Sequence, residues 1–141
     1  ITEVNEMDTQ NKLKEIEATD YWDAQILDIN TRFLGDELSL YIASYEEEDK
    51  DKFCWEIKFL QCYKVEYEID AKREIREKPV NEYRGAQLYG YVGQDIKLVE
   101  YEGELYDCQI ILANMGLRII CQDIDVSKVL IDEQHFFWKD K

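Results

Sequence analysis

The sequence predicts a mainly β protein, either a single-domain antiparallel sandwich or a strongly curved meander of about eight strands. After Tyr21, apolar and polar side chains alternate in one run after another, which is the two-residue period of a strand with one buried face. Glycines and short polar stretches separate these runs, as turns do. Pro79 is the one proline, and no Gly/Ser-rich linker divides the chain. We therefore expect one β-rich domain at residues 21–141, preceded by an arm or short helix at 1–20.

The N-terminal segment has a different period from the rest of the chain. Met7, Leu13 and Ile16 have a loose helical spacing between residues 5 and 18, and Asp8 is placed to cap the start. These positions predict a short helix or an ordered arm.

Three alternating runs predict the first strands. They begin at Ile26, at Leu38 with Leu40 and Ile42, and at Phe53 with Trp55, Ile57 and Phe59. The acidic segment at 46–52 lies between the second and third runs and predicts a hairpin with an acidic loop. The odd-numbered phase returns at Tyr63, Val65, Tyr67 and Ile69, so residues 53–69 are either one long strand or two joined near Gln61. In both cases one face is expected to be buried and the other solvated.

The second half of the chain predicts further strands behind a polar turn. Residues 70–78 carry four basic and two acidic side chains after Asp70, which indicates a solvated helical turn that stops at Pro79. Strands are predicted at 89–101, 105–113, 117–124 and 128–131. The tail at 136–138 is entirely aromatic, so we expect it to close an edge of the sheet.

The charge balance limits the classes of partner. The chain has 17 Lys and Arg against 32 Asp and Glu, a formal charge of −15 with a sequence pI near 4.4. A protein that binds the phosphate backbone of a nucleic acid needs a basic surface, so direct nucleic-acid binding is disfavoured. No apolar run approaches the roughly 20 residues of a membrane helix, so a soluble protein is expected, with no membrane partner. The chain opens on Ile1 with a polar, acidic segment, which is unlike a secretory signal. A chain trimmed before Ile1 is the simplest explanation, and a removed signal peptide is the alternative.

The cysteines indicate a reducing compartment. Cys54, Cys62, Cys108 and Cys121 each lie in an apolar run, and no CxxC pair is present. Free buried thiols in the cytosol are favoured over two disulfides. His135 is the single histidine and the spacing does not suit zinc, so no metal or cofactor is expected.

Catalytic signatures are missing from the sequence. No serine has a nucleophile-elbow context, and His135, the one candidate base of the usual kind, lies beside three aromatics. The acidic pairs Glu66/Glu68 and Asp123/Asp125 are better explained as solvated strand faces than as a hydrolytic or Mg²⁺ site. We therefore expect a protein that is not an enzyme.

Several segments resemble a known family. They are residues 21–29, 35–42 and 55–59, with 90–96 and 121–126 compatible. These residues resemble the small acidic immunity proteins of Gram-positive polymorphic and wall-associated (contact-dependent) toxin systems. The chain departs from that pattern in having Asp23 where many relatives carry His. The resemblance implies a cytoplasmic, non-enzymatic protein that binds its cognate toxin domain, often a nuclease with a basic cleft.

The leading hypothesis is therefore an immunity protein whose acidic surface meets a basic toxin groove, with aromatic side chains as buried contacts. A small-ligand-binding β-barrel and a carboxylate-pair hydrolase remain the alternatives. The densest acidic candidates for partner contact are Glu66, Glu68 and Asp70 on an outward stripe and Glu46, Glu47, Glu48 and Asp49 in the acidic loop.

Overall fold

A computed structural model describes residues 4–69, 92–113, 115–136 and 139. These residues form one helix and six strands. The elements are α1 (Glu6–Glu17), β1 (Ile26–Arg32), β2 (Glu37–Ala43), β3 (Phe53–Ile69), β4 (Gly93–Tyr101), β5 (Leu105–Leu112) and β6 (Met115–Leu130). The prediction of a mainly β fold with an N-terminal helix is confirmed.

All six strands form one antiparallel open sheet in the order β1-β2-β3-β6-β5-β4. The N-terminal half (β1, β2 and β3) and the C-terminal half (β4, β5 and β6) are each a three-stranded meander. The two halves meet where β3 pairs with β6, the two longest strands, of 17 and 16 residues. The described residues thus form a single sheet and not a sandwich.

Eight predicted strands become six because two pairs of them merge. The runs at 53–59 and 63–69 are the single strand β3, and those at 117–124 and 128–131 are the single strand β6. In β3 the junction is an irregularity: Gln61 has φ of +52° and the register with β6 shifts after Cys62. This bulge lets one strand continue where the pattern breaks.

Past this bulge the predicted burial of β3 is wrong. Ile57 and Phe59 are fully buried, as their phase requires. Tyr63, Tyr67 and Ile69 are instead 70%, 46% and 52% exposed. The far end of β3 therefore presents large apolar side chains to solvent.

The helix begins one turn before the expected cap. Asn5 is the N-cap: its side chain accepts a hydrogen bond from the Asp8 amide at 2.9 Å, and the Asp8 carboxylate accepts one from the Asn5 amide at 3.2 Å. This reciprocal pair is a capping box, with Asp8 at its third helical position and not at the cap.

Most of the core lies on the helix side of the sheet. Ile16 of α1 is completely buried in a cluster with strand residues from both halves. These include Leu38, Leu40, Ile42, Ile57, Phe59, Leu98, Ile110 and Ile119. Although α1 precedes β1, it packs against β4 and β6 of the C-terminal half, and Lys12 Nζ donates to the Ile124 carbonyl at 2.6 Å.

A smaller cluster covers part of the opposite face. Phe136 packs edge-on against Tyr41 at 4.9 Å between ring centroids, together with Leu27 and Cys54. Phe136, the first residue of the predicted aromatic tail, therefore packs on a face of the N-terminal half and not along an edge as expected. Glu56, expected on the solvated face of its strand, is also buried, and its carboxylate accepts a hydrogen bond from Ser39 Oγ at 2.7 Å.

The two outer edges of the sheet meet at one end. The Asp23 amide donates to the Gly93 carbonyl at 2.8 Å, and the Gly93 amide donates to the Ala24 carbonyl at 3.0 Å. Isolated bridges join Trp22 to Gly93 and Gln25 to Val92. A Cβ at Gly93 would collide with the carbonyl oxygen of Tyr21, so only glycine permits this approach.

Some predictions fall outside the described residues. These are the helical turn at 70–78, Pro79, the start of the strand at 89–91, and the aromatic residues 137 and 138. Among the described helices, none is long and apolar enough to cross a membrane.

Candidate partner-binding surface

The acidic loop is partly neutralised by a distant lysine. Lys128 Nζ lies 2.7 Å from both the Glu46 and the Asp49 carboxylates, and Ser44 Oγ donates to Asp49 at 2.8 Å. The hydrogen bond from Lys128, supported by that of Ser44, lowers the pKa of Asp49 below its usual range. Glu46 and Asp49 therefore join the loop to β6, and Glu47 and Glu48 remain exposed for a partner.

The outward stripe lies beside basic side chains. Glu66 and Glu68 are exposed on β3, while Asp70 falls outside the described residues. Lys64 Nζ lies 2.9 Å from Glu66 and lowers the pKa of its carboxyl. Arg118, opposite Glu66 on β6, forms a bidentate pair with buried Asp107 at 2.8 and 3.2 Å. This stripe is therefore a mixed-charge surface.

The groups considered for catalysis are not arranged as a reactive centre. Glu66 is paired with Lys64, and Asp123 lies 3.3 Å from Lys12. His135 is exposed. Across the residues that the structure describes, no group of three His, Cys, Asp or Glu side chains is placed to hold a metal ion.

The cysteines are free thiols in apolar surroundings. Cys54, Cys108 and Cys121 are buried and Cys62 is half-buried. Burial raises the pKa of Cys54 to about 12 and that of Cys62 to about 11. A thiolate is the reactive form of cysteine, so these thiols are poor nucleophiles at neutral pH.

The turn between β1 and β2 exposes two large apolar side chains. Phe33 is 73% exposed and Leu34 is fully exposed. Both have a left-handed backbone, with φ of +54° and +59°. The Asp36 amide donates to the Phe33 carbonyl at 3.2 Å, and Leu34 with Gly35 (φ +97°) occupies the centre of a type I′ turn. Asn-Gly is the favoured pair at this position, so leucine is an unusual occupant.

This turn is joined to the bulge of β3. The Cys62 amide donates to the Asp36 carbonyl at 2.8 Å, which places Tyr63 next to the turn. An open groove of 420 Å³ runs between them, lined in part by Phe33, Leu34 and Tyr63. These three exposed residues are here called the apolar tip.

An acidic cleft lies immediately beside the apolar tip. It has a volume of 550 Å³ and is open to solvent. Glu37, the first residue of β2, Asp8 of α1 and Asp123 of β6 supply three carboxylates. Two of them are ion-paired, Glu37 with Arg32 at 3.4 Å and Asp123 with Lys12 at 3.3 Å. Apolar and acidic surface are therefore contiguous at this end of the molecule.

Neither the apolar tip nor the acidic cleft is apparent in the pattern of the sequence. Phe33 and Leu34 follow the polar residues 30–32 with no pattern that marks them as exposed, and the three carboxylates of the cleft come from distant segments. The available signal was two bulky residues directly before Gly35, between the runs that begin at Ile26 and Leu38.

The fold and this surface can be compared with known proteins. A family model described as Immunity protein PIM7 matches residues 8–128, from the first turn of α1 almost to the end of β6. The chain belongs to the PIM7 immunity protein family. This confirms the resemblance to immunity proteins. The fold of this chain is also similar to a crystal structure of an uncharacterized protein from Neisseria gonorrhoeae, with a TM-score of 0.50 and 13% identity over 76% of this chain and 92% of that one. No curated protein matches the PIM7-family chain in sequence.

Proposed function

We propose that this chain neutralises a cognate bacterial toxin by binding its toxic domain directly. Membership of an immunity protein family implies a toxin protein as partner, and it is the observation that carries the proposal. Binding alone, with the toxin's active site covered, accounts for such protection. Neutralisation in the cytoplasm of the producing cell is part of the proposal.

We further propose that the toxin domain is basic, as a nuclease groove is. The formal charge of −15 supports this, because a field of that size favours rapid encounter with a cationic partner. The exposed carboxylates at Glu47 and Glu48, at Glu66 and Glu68, and at Asp123 of the acidic cleft are the available contacts. Glu46 and Asp49 act through the loop's attachment to Lys128 instead.

The experiment uses the C-terminal domain of the protein encoded directly upstream of this chain's gene. Cells expressing that domain should survive when this chain is co-expressed. Association rates are then measured by stopped flow at about 50 and about 200 mM salt, a range over which exposed charges become screened. Glu47→Lys/Glu48→Lys and Glu66→Lys/Glu68→Lys leave the Lys128 contacts intact.

The matched control is Glu17→Lys/Glu100→Lys, which changes the net charge equally at two other exposed positions. An acidic interface is supported if either patch variant associates more slowly than the control variant and shows a weaker salt dependence of its association rate. Equal rates for wild type and both patch variants at both salts would show that the acidity serves solubility. Failure of wild type to bind or protect would refute the neutralising function.

A further inference from the structure

We propose that the apolar tip is the central contact of the toxin interface, where it inserts into an apolar pocket flanked by basic side chains on the cognate toxin. This inference rests on the proposed function and adds the surface and the kind of partner pocket. It concerns Phe33, Leu34 and Tyr63, none of which belongs to the acidic patches discussed above.

The first argument is that Leu34 does not serve the fold. Its side chain is fully exposed, so it buries no surface within the chain. Its backbone is left-handed, a conformation in which a leucine is disfavoured and asparagine or glycine is not. A residue that weakens its own turn and packs against nothing is explained by a contact outside the chain.

The second argument is that the tip is held in place before binding. The Cys62 amide is bonded to the Asp36 carbonyl, which ties the turn to the bulge of β3. Tyr63 also lies near Tyr101, with 6.3 Å between ring centroids. A turn whose backbone is held in this way loses little backbone freedom on binding, which lowers the cost of forming an interface there.

The third argument concerns the charge of the partner that binds the tip. Asp36 is exposed at the turn and borders the groove together with Lys64, which pairs with Glu66, while Glu37 is paired with Arg32 at 3.4 Å. A partner that covers the tip meets the exposed Asp36 carboxylate on a chain of formal charge −15, so basic groups around its pocket would be complementary. A second copy of this chain is a poor occupant, because it would bring another formal charge of −15 against the first.

The test is the variant Leu34→Asn, which creates the Asn-Gly pair that this turn favours. Its thermal midpoint should equal or exceed that of wild type. Its affinity for the C-terminal domain of the upstream-encoded protein should fall at least tenfold, mainly through faster dissociation, because the contact of a whole leucine side chain is lost. Leu34→Met, which keeps an apolar side chain, should retain affinity within threefold. The matched control is Val99→Thr, which removes an apolar group that is 53% exposed on β4 and should change affinity less than twofold.

The outcomes separate this inference from the proposed function. If wild type binds and Leu34→Asn binds within twofold of it, the tip is not the central contact, although neutralisation stands. If wild type neither binds nor protects, the proposed function fails and this inference fails with it. Light scattering of the free protein completes the test: a wild-type dimer that Leu34→Asn converts to a monomer would assign the tip to self-association and overturn the inference.

Discussion

Gly93 is the residue at which the two edges of the sheet meet, and Gly93→Ala measures what this closure contributes to stability. The new Cβ would overlap the Tyr21 carbonyl oxygen, which is backbone and cannot rotate away. The segment at 21–25 must then move off β4, and the hydrogen bonds from Asp23 and to Ala24 are lost. At about 0.5–1.5 kcal/mol for each bond, unfolding should become easier by about 1–3 kcal/mol.

Urea unfolding followed by tryptophan fluorescence gives the free energy, and calorimetry should show a midpoint about 3–10 °C lower. Gly116→Ala is the control, because a Cβ there meets only the Ile110 carbonyl oxygen at 3.9 Å, an ordinary contact. It should change stability by less than about 0.5 kcal/mol. Hydrogen exchange adds a local measurement: the Asp23 amide should lose protection in Gly93→Ala. Equal stabilities for the two variants, with the Asp23 amide still protected, would refute this account of the edge closure.

Two further predictions follow from ionisable side chains. In denaturant all four thiols should react with Ellman's reagent, whereas the native protein at about pH 8 should react slowly. Cys62 should react first, and its rate should increase as pH rises toward its raised pKa of about 11. Thiols that appear only after reduction would contradict the proposed cytoplasmic location. Burial, with Glu56 adding to it, raises the pKa of Tyr41 to about 12, so the folded state keeps a proton that the unfolded state loses near pH 10. Stability should fall as pH rises from about 10 to about 12, and urea midpoints for Tyr41→Phe should fall less steeply; parallel curves for the two proteins would contradict the effect of Tyr41.

The strands were predictable because their period is local, but their number and order were not. The bulge at Gln61 interrupts the alternation without ending β3. In β6, Asp125 and Ser127 look like a polar gap, yet they pair with Lys58 and Glu56 of β3 and keep the strand continuous. Strand order depends on this pairing between distant segments, which no local pattern encodes.

The candidate surface was only partly predictable for the same reason. Charge density along the chain identified the acidic loop. Lys128, far away in sequence, forms ion pairs with Glu46 and Asp49 of that loop. Apolar identity alone made Phe33 and Leu34 resemble strand residues. Their exposure follows from a left-handed turn, which depends on how β1 and β2 pair.

Each end of the chain packs on the half to which it does not belong. Helix α1 leads into the N-terminal half but covers β4 and β6, while Phe136 follows the C-terminal half but covers Tyr41 of β2. If either meander unfolded alone, the other would lose the β3–β6 pairing and also the packing of α1 or of Phe136. The two halves are thereby bound into one cooperative unit, and denaturation should be a single all-or-none transition despite the modular arrangement of the strands.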